Sequence, residues 1–260
     1  MNFDKKQLDI TFLGTGTSQG IPMIANNDPV CLSKNLKDKR LRSSILISWD
    51  DVSYTVDCGL DFRQQMLREN VQSLNGVFFT HEHADHIGGI DDLRAFCYQI
   101  GEMPIYLNKR TLRSLEKRFE YIFSLENRYP GAPSVMPNIV NKSPFIVSDL
   151  EITPIEVMHG KLPITAYRFA DVAYLTDVKS ISTEEKKKLQ NLDVLIVNAL
   201  RIDEHPTHFN LQEAIDFVAE MNPKKAYFTH ISHKLGFHDE VSKILPDNVS
   251  LAYDGLKITI

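Results

Sequence analysis

Apolar and polar residues alternate with a period of two at 8–13 (LDITFL), 44–49 (SILISW), 52–57 (VSYTVD) and 76–80 (GVFFT), which predicts strands with one face buried. The period lengthens to a helical one at about 60–70 and 86–99. Gly and Pro in GEMP (101–104) break the chain before a strand at IYL, and NKRTLRSLEKRFEYIF then spaces Leu112, Leu115, Phe119 and Ile122 along one helical face. The segment 129–144 contains four prolines and is expected to be a surface loop. Beyond it, strands are expected at 151–158, 164–169, 172–176, 193–199, 225–229, 249–252 and 256–260. Helices are expected near 183–190, 211–221 and 238–244, the second opened by Asn210 with Glu213 as its capping partner.

Strands and helices thus mix along the whole length, and polar residues recur where apolar strands end. This pattern predicts an α/β chain in one domain spanning 1–260, with sheets layered between helices and a site at the sheet edges. KAYFTHISH (225–233) echoes GVFFTHEH (76–83), which suggests two similar halves.

The chemistry concentrates directly behind the strand at 76–80, where HEHADH gathers His81, His83, Asp85 and His86. Residues two apart in extended backbone face the same side, so His81 and His83 can share one ion. Asp85 and His86 stand where the chain turns toward a helix and can serve a second, with Gly88-Gly89 allowing close backbone approach. Imidazole and carboxylate without thiolate suit zinc, manganese or iron and leave positions for water and substrate. These four residues do not complete two coordination shells. His159, Asp177 and His230, each at the end of a later apolar strand, are the candidates to complete them.

HEHADH followed by His159, Asp177 and His230 resembles the H-x-H-x-D-H signature and later ligands of the metallo-β-lactamase-fold hydrolases, over nearly the whole chain. LGTGTSQGIP (13–22), RLRSS (40–44), DCGLDFRQQ (57–65), THISH (229–233) and LAYDGL (251–256) further resemble the cyclic-phosphate phosphodiesterases associated with phosphonate breakdown, to which transfer-RNA 3′-processing endonucleases are related. The resemblance implies a four-layer αββα sandwich of two mixed sheets and a dinuclear centre. His81, His83 and His159 would hold one ion, Asp85, His86 and His230 the other, with Asp177 bridging.

Two divalent ions, zinc or manganese, roughly 3.5–4 Å apart lower the pKa of a shared water and clamp a phosphoryl oxygen during attack. The leaving alkoxide still needs a proton, which a histidine outside the ligand set supplies. HPTHFN (205–210) offers His205 and His208, and the resemblance favours His208, so the expected catalytic residues are His208, Asp85 and Asp177. Asp57 looks like the family aspartate that orients a ligand histidine.

The chain also departs from the pattern. Family members often carry G-C-x-C-x-x-C after the Gly-rich start, and those thiolates bind a separate structural zinc. Here only Cys31 stands in that segment, with His233 as its partner, so no tightly held third zinc is expected. GTGTSQG (14–20) lacks dinucleotide-binding spacing and reads as a tight turn near the metals, with Ser18 available to phosphate. Cys58 and Cys97 read as core thiols, and Arg42, Tyr129 and Lys186-Lys187-Lys188 as solvated surface.

Composition narrows the partners. A net charge of −5 argues against a broad basic face for long nucleic acid, and no apolar run is long enough to span a bilayer, so no membrane partner is expected. The resemblance implies a small phosphodiester as ligand, with a homodimer left open. The start MNFDKKQLDI lacks the apolar stretch of a secretory signal, and the three cysteines form no C-x-x-C pair, which together place the expected location in the cytoplasm. The competing readings are a lactone or thioester hydrolase, an RNA 3′-end processing nuclease, and a metal-bound interaction module without catalysis. A proton donor at His208 argues for phosphodiester chemistry over acyl chemistry, and the complete ligand set argues against the module.

Overall fold

The computed structural model describes residues 6–124, 126 and 129–260. Strands β1 (Asp9–Gly14), β2 (Ser44–Trp49), β3 (Val52–Val56), β4 (Gly76–Phe78), β5 (Met103–Leu107) and β6 (Val135–Ile139) come first. They are followed by β7 (Phe145–Val147), β8 (Leu150–His159), β9 (Leu162–Phe169), β10 (Val172–Leu175), β11 (Val194–Asn198), β12 (Lys225–Thr229), β13 (Val249–Leu251) and β14 (Lys257–Thr259). Among the described residues they form two seven-stranded sheets, ordered β14-β1-β2-β3-β4-β5-β6 and β13-β12-β11-β10-β9-β8-β7. Each half of the chain builds one sheet, and only β14 crosses back to the sheet of the first half.

The two sheets are mixed in the same way. β1, β2 and β3 pair antiparallel and β3 to β6 pair parallel; β8, β9 and β10 pair antiparallel and β10 to β13 pair parallel. The correspondence aligns β3 with β10, and their sequences agree: VSYTVD and VAYLTD share V-x-Y-x-x-D, ending at Asp57 and Asp177. Both aspartates leave their strands in the left-handed region, at φ 67° and 57°. The echo between residues 76–83 and 225–233 is less regular, because β4 is the first parallel strand of its sheet and β12 the second.

Alternating side chains explain the layers. Phe12, Ile45, Trp49, Tyr54 and Phe78 from one sheet meet Ile152, Tyr167, Phe169 and Tyr174 from the other in a single buried cluster, the seam between the sheets. The opposite face of the first sheet packs Val77, Phe79 and Ile105 against Phe62, Phe96 and Leu115 of the helices Phe62–Arg68, Arg94–Ile100 and Lys109–Arg118. Ile164, Leu175 and Val197 of the second sheet pack against Phe217 and Val218 of the helix Leu211–Met221. Helix, sheet, sheet, helix is the metallo-β-lactamase arrangement that the resemblance implies. The Leu211–Met221 helix opens with the expected capping box, in which Asn210 accepts from Glu213 N–H at 2.8 Å and Glu213 accepts from Asn210 N–H at 2.9 Å.

Three expectations are corrected. The helix expected at 86–99 is broken into Ala84–Ile87, a 3₁₀ turn at Ile90–Leu93 and Arg94–Ile100. The break lies at Gly88-Gly89, where the chain crosses Gly59 so closely that a Cβ on Gly89 would stand 2.1 Å from the Gly59 carbonyl oxygen. The helix expected from Asn108 onward ends at Arg118 and resumes at Glu120–Phe123, because Phe119 leaves helical geometry at φ −124°. The loop expected at 129–144 contains β6. Its Pro137 is tolerated because β6 is an edge strand, paired only with β5 among the described residues.

Candidate metal centre

Asp57 and Thr80 form the base of the site. Turned out of β3, Asp57 accepts from Thr80 N–H at 2.8 Å and from His86 Nδ1–H at 2.6 Å. The Thr80 hydroxyl donates to Asp57 at 2.8 Å and accepts from His81 Nδ1–H at 3.0 Å. On the facing sheet, His159 at the end of β8 donates its Nδ1–H to the Thr207 carbonyl at 2.9 Å. These contacts fix Nδ1 as the anchored nitrogen of three imidazoles, leaving Nε2 of His81, His86 and His159 turned away from their anchors.

Asp177 receives them. Its Oδ2 lies 3.0 Å from His86 Nε2 and 3.3 Å from His81 Nε2, and its Oδ1 lies 2.9 Å from His230 Nδ1. His86 Nε2 also stands 3.2 Å from Asp85 Oδ2, and His81 Nε2 stands 3.0 Å from His83 Nδ1. The residues fall into two sets, His81, His83, His159 and Asp177, and Asp85, His86, Asp177 and His230, each with donor atoms all within 4.8 Å of one another. Asp177 belongs to both. The convergence comes from the ends of β4, β8, β10 and β12, which lie on one edge of the sandwich.

Burial gives these charges their character. Burial opposes charge on His86, yet Asp85, Asp177 and Asp57 outweigh it and hold the imidazole well above its ordinary pKa. Burial would raise Asp177, but His230 and His86 keep it well below the usual carboxylate range. His81 is pushed down by burial and by neighbouring His86. A buried group of imidazoles and carboxylates at this density is the donor set of a hard or borderline cation. His86 Nε2 is fully buried and faces carboxylate oxygens of Asp177 at 3.0 Å and Asp85 at 3.2 Å without good hydrogen-bond geometry to either, an arrangement that a cation between them would satisfy.

His208 lies beside the cluster. Its ring stacks on His230 with centroids 5.0 Å apart, and its Nε2 stands 3.7 Å from Asp177 Oδ1. Burial pushes its pKa down to about 3. His205 contacts it from the outer side, Nδ1 to Nδ1 at 3.0 Å.

The Gly-rich turn contributes a residue the sequence reading did not single out. Thr17 Oγ1 lies 3.2 Å from His230 Nε2, and the turn is bridged to Arg42 and Ile231 through Gly16, so it ties the two halves together at the site. Ser18 is exposed, and its carbonyl accepts from Arg42 Nε at 2.8 Å. Arg42 also pairs with Asp61 at 2.9 Å, so it is committed within the fold. Cys31 is buried among apolar residues, and His233 Nε2 contacts Asn26 Nδ2 at 3.2 Å. Cys58 is likewise a core thiol, pushed up by burial, while each of Lys186, Lys187 and Lys188 pairs with a glutamate. No helix among the described residues is long and apolar enough to cross a membrane.

Residues 53–231 match the family model of the beta-lactamase superfamily domain. The chain belongs to that superfamily. Its structure superposes on a crystal structure of a new diphosphatase from the PhnP family with a TM-score of 0.92, at 37% identity and over 98% of this chain and 97% of that one. An octanoyltransferase of Porphyromonas gingivalis is 40% identical over 251 residues, which are 95% of this chain and 51% of that protein. A ribonuclease Z of Methanococcus maripaludis is 27% identical over 195 residues, 71% of this chain and 57% of that protein. The chain therefore spans little more than half the length of these curated relatives.

Proposed function

We propose that the chain is a metal-dependent hydrolase that cleaves small phosphodiesters at two neighbouring divalent cations, zinc or manganese. The observation that carries this reading is the pair of four-residue sets that share Asp177. Two cations bound there would acidify water and neutralise charge developing on a phosphoryl group. In this reading His81, His83 and His159 hold one cation, Asp85, His86 and His230 the other, and Asp177 spans both. Asp57, Thr80 and Thr207 keep the ligand imidazoles in the tautomer that presents Nε2. His208, whose Nε2 faces Asp177, passes a proton to the departing alkoxide, and the negative charge of a bound phosphodiester offsets the burial that lowers its pKa.

The PhnP-family diphosphatase and the ribonuclease Z relatives support phosphoryl chemistry. A second reading, hydrolysis of an acyl ester or thioester, draws on the relative named octanoyltransferase, a protein about twice as long as the matched segment.

Elemental analysis beside a substrate panel tests both. The panel holds a bis-aryl phosphate, 2′,3′-cyclic nucleotides, ribose cyclic phosphates, a precursor transfer RNA, a lactone and an acyl thioester. We expect two ions per chain and turnover confined to the small phosphodiesters, with both metal content and turnover falling in Asp177→Asn. One ion per chain, or turnover of the acyl substrates alone, would overturn the proposal.

A further inference from the structure

The short turn HPTH, residues 205–208, makes more contacts with the centre than its one proposed proton donor requires. Its middle residue serves two histidines at once. The Thr207 carbonyl accepts from His159 Nδ1–H at 2.9 Å, while the Thr207 backbone N–H donates to His205 Nδ1 at 3.3 Å. A backbone N–H has only a proton to offer, so His205 Nδ1 carries a lone pair. His208 Nδ1 lies 3.0 Å from that same atom.

Two lone pairs do not meet at this distance without repulsion, so the proton in the contact belongs to His208 Nδ1. The threonine hydroxyl is compatible with this assignment. Thr207 Oγ1 lies 2.9 Å from His208 Nδ1 and 3.2 Å from His205 Nδ1, where its lone pairs offer a second acceptor for the same His208 proton. The lone pair of neutral His208 is thereby left on Nε2, the nitrogen that faces Asp177 at 3.7 Å.

We propose that His205 is a positioning residue that fixes the ring of His208 in its Nδ1–H tautomer and turns Nε2 toward the reacting centre. His205 itself stands outside the centre: its contacts are with Thr207 and with the far side of His208. The turn is held firmly enough for the task. Pro206 limits its backbone, and Gly160, at φ 63°, passes so close that a Cβ there would stand 2.8 Å from Thr207 Cγ2. Packing and hydrogen bonding together therefore set one imidazole against the other.

The tautomer can be read without any substrate. In zinc-loaded protein labelled with ¹⁵N-histidine, long-range proton–nitrogen correlation separates the two neutral forms, with His208 assigned by its absence in His208→Gln. The wild type should show His208 protonated at Nδ1, and the double variant His205→Ala, Thr207→Val should show a mixture with the Nε2–H form. In turnover, which rests on the function proposed above, His205→Ala should lower kcat roughly 10–100-fold with KM and metal content unchanged. His205→Asn, whose carbonyl oxygen accepts the same proton, should recover most of the loss.

A wild-type His208 protonated at Nε2, a pattern unchanged in the double variant, or equal kcat in the Ala and Asn variants would each overturn the assignment. Full turnover in His208→Ala would instead overturn the proton-donor role, and the spectroscopic result would stand apart from it.

Discussion

Exchanging one oxygen of Asp57 for an amide shows how far the ligand imidazoles depend on a group outside the cation sets. Asp57 Oδ2 accepts from His86 Nδ1–H at 2.6 Å, and an amide nitrogen at that position would oppose the proton. Asp57→Asn should therefore weaken metal affinity about 10–100-fold, measured by competition with a chromophoric chelator. His81, His83, Asp85 and His86 were legible because polar residues so dense behind an apolar strand have few other uses. Thr17, Thr80 and Thr207 were not legible. Threonine is common at strand ends and turns, and its value here lies in which imidazole it happens to face.

Helix Leu211–Met221 was readable from its capping pair, and its stability can be tested there. Asn210→Ala removes the acceptor for Glu213 N–H and should cost about 1 kcal/mol in urea unfolding. Gly89→Ala should cost more, because the added Cβ would meet the Gly59 carbonyl at 2.1 Å and push apart the loop carrying Asp57-Cys58-Gly59 and the turn carrying Asp85 and His86. Loss of metal content alongside the lower midpoint is the expected outcome. The errors of the sequence reading fall at the same level. Periodicity marked Leu112 to Ile122 as one apolar face, which is true of their burial, but a face continues across a helix break that periodicity does not see. Pro137 and its neighbouring prolines suggested a loop because the pairing partner of this strand, and its edge position among the described residues, depend on the order of strands in space.

Across the molecule, seven residues spread from His81 to His230 meet at one edge of the sandwich, so metal bound there would be linked to global stability. Saturating metal at a hundredfold excess over Kd should add about 2.7 kcal/mol for a single site, and a chelator should lower the melting temperature accordingly. A second link involves His238, far along the chain from its partners. Arg40, almost fully buried, donates to His238 Nδ1 at 3.1 Å, to Thr15 at 2.7 Å and to the Ala252 carbonyl at 2.6 Å.

Burial and the Arg40 charge push His238 down to about 4 from its unfolded value of 6.5. Between those values the unfolded chain binds a proton that the folded chain refuses, so stability falls as pH drops from 6.5 toward 4 and levels off below. Thermal melts across that range should show this fall in the wild type and a smaller one in His238→Gln.

The sequence alone determined the chemistry of the centre and the identity of its seven candidate ligands, since donor type and position at the ends of apolar strands are local properties. Alternating and helical periods also carried sheets layered between helices, while the αββα order came from the family resemblance. The family resemblance implied the two ligand sets that share Asp177, but only the tertiary structure decided which nitrogen His81, His86 and His159 present, and that VSYTVD and VAYLTD occupy matching places in two sheets. Those features depend on distances between strands far apart in the chain, and such distances are set by packing of the inter-sheet core rather than by any stretch of residues read by itself.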